Sequence, residues 1–149
     1  MGRDIVIHGP HGPVDAWRAD PPDQAAALGA IVVVQEIFGV NEHIRSVAEG
    51  YAAAGYVAIA PALFDPVARN VELGYDEAGF ARGRELVAGL GTERAVAVLR
   101  ATAERLQGEG LRTAAVGFCW GGSMALLANT RLGLPAVSYY GARSRPFLD

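Results

Sequence analysis

Cysteine is almost absent from this chain: Cys119 is the only one in 149 residues. A single thiol excludes an internal disulfide and a thiolate metal site, and it suits a reducing compartment. Histidine is nearly as scarce. His8, His11 and His43 are the full set, and none follows Cys119. Charged residues make up 19% of the chain, below the ~25% of an ordinary globular protein. That shortfall points to a well-covered sheet or to a surface that expects a partner. The net charge is −3 with no basic stripe, which argues against nucleic acid as a partner. No run approaches the ~18 apolar residues of a membrane span. Met1-Gly2-Arg3-Asp4 has no long apolar stretch behind it, so no signal peptide is read. Neither an internal repeat nor a low-complexity segment is found. The expectation is a single cytoplasmic domain over 1–149, with no membrane contact, no metal and no cofactor.

What is present is an alternation of strand and helix signals. Ile5-Val6-Ile7 reads as a short strand, and His8 to Pro13 as a turn. Val14 to Ala19 reads as a second strand, antiparallel to the first. Ile31-Val32-Val33-Val34 is a continuous β-branched run, suited to a strand buried on both faces of a parallel sheet. Asn41 is placed to cap a helix carrying Ile44, Val47, Ala48 and Tyr51 at helical spacing and ending at Gly55. Tyr56 to Ala60 is the next strand, stopped by Pro61. Two helices are predicted, Asp76 to Leu90 and a second one capped by Thr92 and ended by Gly108. Thr113 to Phe118 reads as a strand, Gly122 to Leu132 as a helix and Ala136 to Tyr140 as a strand. The pattern predicts an α/β fold: a mostly parallel sheet with helices on both faces and an antiparallel edge from the opening hairpin.

The one cysteine lies in Ala114-Ala115-Val116-Gly117-Phe118-Cys119-Trp120-Gly121-Gly122-Ser123. An apolar strand runs into a Gly-x-Cys-x-Gly turn and then a helical pattern. This is the nucleophile-elbow layout, with cysteine where serine usually stands. A tight strand-to-helix turn lifts the nucleophile out of the sheet but crowds the backbone. Glycine two residues before and two after relieves the crowding, and Gly117 and Gly121 hold those positions. The following helix points its free N–H groups toward the thiol and favours thiolate. The backbone N–H of Trp120 is placed to hold an oxyanion. The plain alternative is an inert, buried cysteine; the glycine frame in its strand–turn–helix setting favours the nucleophile. A nucleotide loop fits poorly, because there is no Gly-x-Gly-x-x-Gly spacing and no Lys-Ser/Thr pair. Glu36, at the end of the β-branched run, falls at the carboxyl edge of a central strand, where open α/β sheets place their sites.

Gly117-Phe118-Cys119-Trp120-Gly121-Gly122 resembles the nucleophile motif of the dienelactone hydrolase family. Val33-Val34-Gln35-Glu36-Ile37-Phe38-Gly39-Val40-Asn41 is similar to the family's third strand and the loop after it. The likeness continues through Gly55-Tyr56-Val57-Ala58-Ile59-Ala60-Pro61-Ala62-Leu63-Phe64 to Ser138-Tyr139-Tyr140-Gly141. The resemblance implies an α/β-hydrolase fold and hydrolysis of lactones or small carboxylic esters. It also implies roles: Cys119 as nucleophile, Glu36 as the group that meets the thiol and helps form the thiolate, and the backbone N–H groups of Ile37 and Trp120 as the oxyanion hole. Arg82 and Arg84 lie in the region of the family's substrate-binding arginines, without falling clearly on a family position.

The chain departs from the family after Tyr140. The family's aspartate and histidine of the triad lie on later loops, and Asp149 at the terminus does not take the aspartate's place. None of the three histidines occupies a triad position. The expectation is therefore a single truncated α/β-hydrolase domain lacking the last strands and helices. The strand Ala136 to Tyr140 would be an uncovered edge, and such edges invite pairing, so a homo-oligomer is expected. An incomplete, self-associating fragment without turnover is the alternative to an active hydrolase. A redox-sensitive thiol is a third reading, though no resolving cysteine is present.

Overall fold

The computed structural model describes residues 2–141 together with Ser144 and Pro146; Asp149 lies outside them. A six-stranded sheet forms the centre, in the order β1-β2-β4-β3-β5-β6. β1 (Gly2–Gly9) and β2 (Gly12–Ala19) are an antiparallel hairpin closed through Gly9 and Gly12. β2 runs antiparallel to β4 (Tyr56–Pro61). β3 (Gly29–Val34), β5 (Thr113–Phe118) and β6 (Ala136–Tyr139) continue from β4 in parallel. The predicted parallel sheet with an antiparallel edge is thus what the chain builds. The opening strand is longer than the apolar triplet suggests, because backbone pairing with β2 extends it through polar positions.

The alternation of β3 explains its β-branched run. Val33 faces one side with Ile44, Ala48 and Ala52 of α1 (Glu42–Ala53), and with Ala58, Ala60 and Val116. Val32 and Val34 face the other side, with Leu99, Ala103 and Leu106 of α2 (Glu77–Gly108) and Met124 and Leu127 of α3 (Trp120–Leu132). Both faces of a central strand are therefore covered, as apolar residues at every position require. Asn41 caps α1 as read, its Oδ1 accepting from the Ile44 N–H at 3.1 Å. The two helices expected between 76 and 108 run on as α2, broken at Gly91, whose φ of 76° and ψ of 159° are not helical. The last helix starts at Trp120, two residues earlier than the sequence suggests, because it begins directly at the elbow.

One tie across the fold was not visible in the sequence. Arg18 at the end of β2 is only 5% exposed. It donates to both carboxylate oxygens of Glu109 at 2.7 Å, just past α2, and to Asp20 at 3.0 Å. Arg3 also pairs with Asp20. The bond from Arg18 holds the Glu109 carboxyl below its usual range. Burial pushes the Asp20 carboxyl up, but the bonds from Arg18 and Arg3 outweigh it and leave it lowered.

Candidate active site

Cys119 sits at the join of β5 and α3 with φ of 58° and ψ of −125°. A side-chain-bearing residue rarely occupies that region, and such strain collects at functional sites. The turn is held on both sides. The Cys119 N–H donates to the Tyr139 carbonyl at 2.8 Å, and its carbonyl accepts from the Gly122 N–H at 2.9 Å. The glycines have the steric purpose expected of them. A Cβ on Gly117 would lie 1.9 Å from the Gly121 oxygen, and a Cβ on Gly121 would lie 2.2 Å from the Gln35 oxygen. Gly122 is constrained too: a Cβ there would lie 2.6 Å from the Tyr139 oxygen, a requirement the elbow frame does not predict. The thiol is partly exposed.

β3 and β5 bring Glu36 to this turn. Val34 pairs with Gly117 in the parallel ladder, so Glu36 and Cys119 each stand two residues beyond a matched pair. The start of α3 rests on the backbone of Val34 and Gln35. The hydrogen bond made by the Glu36 carboxylate, however, goes to another group: Tyr75 Oη donates to Oε1 at 2.7 Å. Among the described residues the thiol of Cys119 has no hydrogen bond, to Glu36 or to any other side chain.

Ile37 and Trp120 are both buried, at 5% exposed. Trp120 opens α3, so its N–H has no intrahelical partner. Its indole stacks on Phe64 after β4, with centroids 5.4 Å apart and planes at 14°. Ile37 is pressed by α2: a Cβ on Gly83 would lie 2.5 Å from the Ile37 oxygen. Gln35, 1% exposed, locks the segment from within. Its Oε1 accepts from the Leu63 N–H at 2.9 Å and its Nε2 donates to the Glu36 carbonyl at 3.0 Å.

Arg82 and Arg84 are not drawn to Cys119 or Glu36 by any contact among the described residues. Both are exposed on α2. Arg82 pairs with Glu85 at 3.1 Å, and Arg84 lies 5.8 Å from the Phe80 ring centre. Gly83 between them is the residue that faces the site. His8 and His11 are exposed at the β1–β2 turn. His43, in the first turn of α1, sets its ring 6.5 Å from that of Phe118, beside the elbow. Phe118 in turn stacks on Tyr139 at 5.3 Å.

Gln35, Phe64, Tyr75 and Gly83 were missed in the sequence. Gln35 carries a signal, a polar residue closing a β-branched run. Tyr75 carries none, since 39 positions separate it from Glu36. Its hydroxyl also accepts from Asn41 Nδ2 at 2.9 Å, and its ring meets Phe38 edge-on at 4.6 Å. Partial burial and then the Glu36 bond raise the hydroxyl above its ordinary pKa, against the opposing bond from Asn41. It keeps its proton at neutral pH and donates it to Glu36.

A mostly parallel sheet flanked by helices, with a strained turn at Cys119 between β5 and α3, is the layout of an α/β hydrolase. Residues 14–149 match the dienelactone hydrolase family, and the chain belongs to that family. Among curated relatives, the "Putative carboxymethylenebutenolidase" of Synechocystis sp. is 39% identical over 120 residues, covering 75% of this chain and 48% of that protein. Its namesake in Escherichia coli (strain K12) is 35% identical over 135 residues, covering 85% and 47%. The chain thus spans about half the length of the curated relatives it matches. The crystal structure of "Putative Dienelactone Hydrolase from Klebsiella pneumoniae" superposes with a TM-score of 0.80 at 32% identity, covering 94% of this chain and 59% of that one. No helix among the described residues is long and apolar enough to cross a membrane.

Proposed function

We propose that Cys119 is the nucleophile of a hydrolase acting on lactones or small carboxylic esters. The observation that carries the reading is the backbone of Cys119, held at a positive φ at the carboxyl edge of the sheet, one strand from Glu36. The relatives named as carboxymethylenebutenolidases support the lactone class. Glu36 takes the thiol proton, and Sγ adds to the substrate carbonyl carbon. The carbonyl π electrons move to oxygen, which the N–H groups of Ile37 and Trp120 receive. Collapse breaks the carbon–oxygen bond, and the leaving alkoxide takes the proton from Glu36. Water then attacks the thioester and releases the acid and the thiol. Arg82 and Arg84, the immediate neighbours of Gly83 on α2, are kept as candidates for the substrate carboxylate.

A second reading is an activated thiol without turnover. It is favoured by the histidines, none of which contacts Cys119 or Glu36 among the described residues. General acid–base catalysis typically contributes ~10²–10⁴ in rate, so its loss would leave alkylation without hydrolysis. Hydrolysis of an activated ester and of a dienelactone by the full chain, beside Cys119→Ala, separates the two. Turnover that vanishes in the variant supports the hydrolase. Rates equal to the Cys119→Ala background sink it.

We also propose self-association through β6, which with β1 is one of the two edge strands of the described sheet. Val137 and Tyr139 of β6 are 51% and 46% exposed, and Tyr140 just after it is 79% exposed.

A further inference from the structure

We propose that Tyr75 is a positioning residue for Glu36, fixing through its hydroxyl the carboxylate that serves Cys119; this rests on the pairing of Glu36 with Cys119 proposed above. Tyr75 is 61% exposed, so its ring contributes little to the core. Its hydroxyl nonetheless both donates and accepts. It donates to Glu36 Oε1 at 2.7 Å and accepts from Asn41 Nδ2 at 2.9 Å. The first of these is a short bond to a carboxylate, the stronger kind. Asn41 cannot turn away, because its Oδ1 caps α1. The orientation of the Asn41 amide therefore decides that the tyrosine proton points at Glu36.

The segment bearing Tyr75 is itself tied to the loop bearing Glu36. The Leu73 N–H donates to the Phe38 carbonyl at 2.9 Å, Gly39 bridges to Glu72, and the Tyr75 ring sits edge-on to Phe38. A glutamate has three torsions to lose, and here a chain of fixed groups running from the α1 cap removes that freedom in advance. With Oε1 held by Tyr75, Oε2 is left for the thiol proton of the neighbouring strand.

The test uses the fact that the chain has one cysteine, so alkylation by iodoacetamide reads Cys119 alone and needs no turnover. The rate is measured at pH 7 on the full chain for wild type, Tyr75→Phe, Glu36→Gln and the double variant, with thermal melting as the folding control. Tyr75→Phe is expected to melt with wild type and to alkylate roughly tenfold more slowly, the size of one charge-assisted hydrogen bond. The double variant is expected to be no slower than Glu36→Gln. Asn41→Ser keeps a cap but loses the amide donor, and is expected to fall between wild type and Tyr75→Phe. Tyr75→Phe at the wild-type rate, or faster, overturns the proposal, as does an equal slowing in both Glu36 backgrounds. Glu36→Gln at the wild-type rate overturns the underlying pairing of Glu36 with Cys119 and the proposal with it. Slow Glu36→Gln beside unchanged Tyr75→Phe overturns the role of Tyr75 alone.

Discussion

Gly121 lies so close to Gln35 that a Cβ added to it would stand 2.2 Å from the Gln35 carbonyl oxygen. The helix after the Cys119 turn is thereby seated on the end of β3, which ties the Cys119 and Glu36 segments together. No flexible side chain can yield here, because the obstacle is backbone. Gly121→Ala is expected to cost at least ~3 kcal/mol and to slow alkylation of Cys119. Denaturant unfolding and the iodoacetamide rate check the two effects.

The strain at Cys119 leads to an ordering of variants. A positive φ of this kind costs on the order of 1–3 kcal/mol in a residue with a Cβ, and glycine escapes that cost. Cys119→Gly is expected to be about 1 kcal/mol more stable than Cys119→Ala. Equal unfolding midpoints would show that the turn relaxes once the thiol is gone.

Gln35 is the next point of leverage. Gln35→Leu keeps the volume but strands the Leu63 N–H and frees the Glu36 carbonyl. A buried donor left unsatisfied costs ~1–3 kcal/mol. The expected outcome is a loss of that size in chemical denaturation together with slower alkylation of Cys119, since Glu36 and Ile37 lose their anchor.

The Arg18 cluster governs the acid limit. Asp20 and Glu109 have carboxyls lowered in the folded state. Their contribution is complete above the ordinary carboxylate pKa of about 4 and is lost as pH falls through the lowered folded values. Asp65 works in the opposite sense. Burial raises its carboxyl, against the bond from the Asp15 N–H, so its contribution is greatest in acid and is lost as pH rises through the raised value. Arg18→Ala leaves Asp20 and Glu109 without their main partner. It is expected to cost about 3 kcal/mol at pH 7 and to flatten the fall in melting temperature below about pH 4. A variant whose acid profile parallels wild type would count against this account.

The β6 edge bears on assembly. Val137→Lys places a charge on an exposed apolar strand, the device by which edges are kept from pairing. Light scattering is expected to show a lower mass for the variant than for wild type. A wild-type monomer over the working concentration range would end the self-association proposal.

Much of this protein is legible from one dimension, because its signals are local. The β-branched run of β3, the Asn41 cap, and the glycines around Cys119 each report a constraint set by near neighbours in the chain, and they led to the α/β architecture and to Cys119. The helix break at Gly91 is legible as the gap between two helical patterns for the same local reason. The surroundings of Glu36 were decided only in three dimensions. Its carboxylate bond comes from Tyr75, its carbonyl is held by Gln35, and Gly83 on α2 presses the next residue, Ile37. Arg82 and Arg84, chosen by region, lie exposed, while the glycine between them packs on the site. Side-chain type and periodicity reveal what a residue can do and which face it occupies. Which distant residue completes its hydrogen bonds depends on how loops of particular length close over the sheet edge, and no local pattern records that.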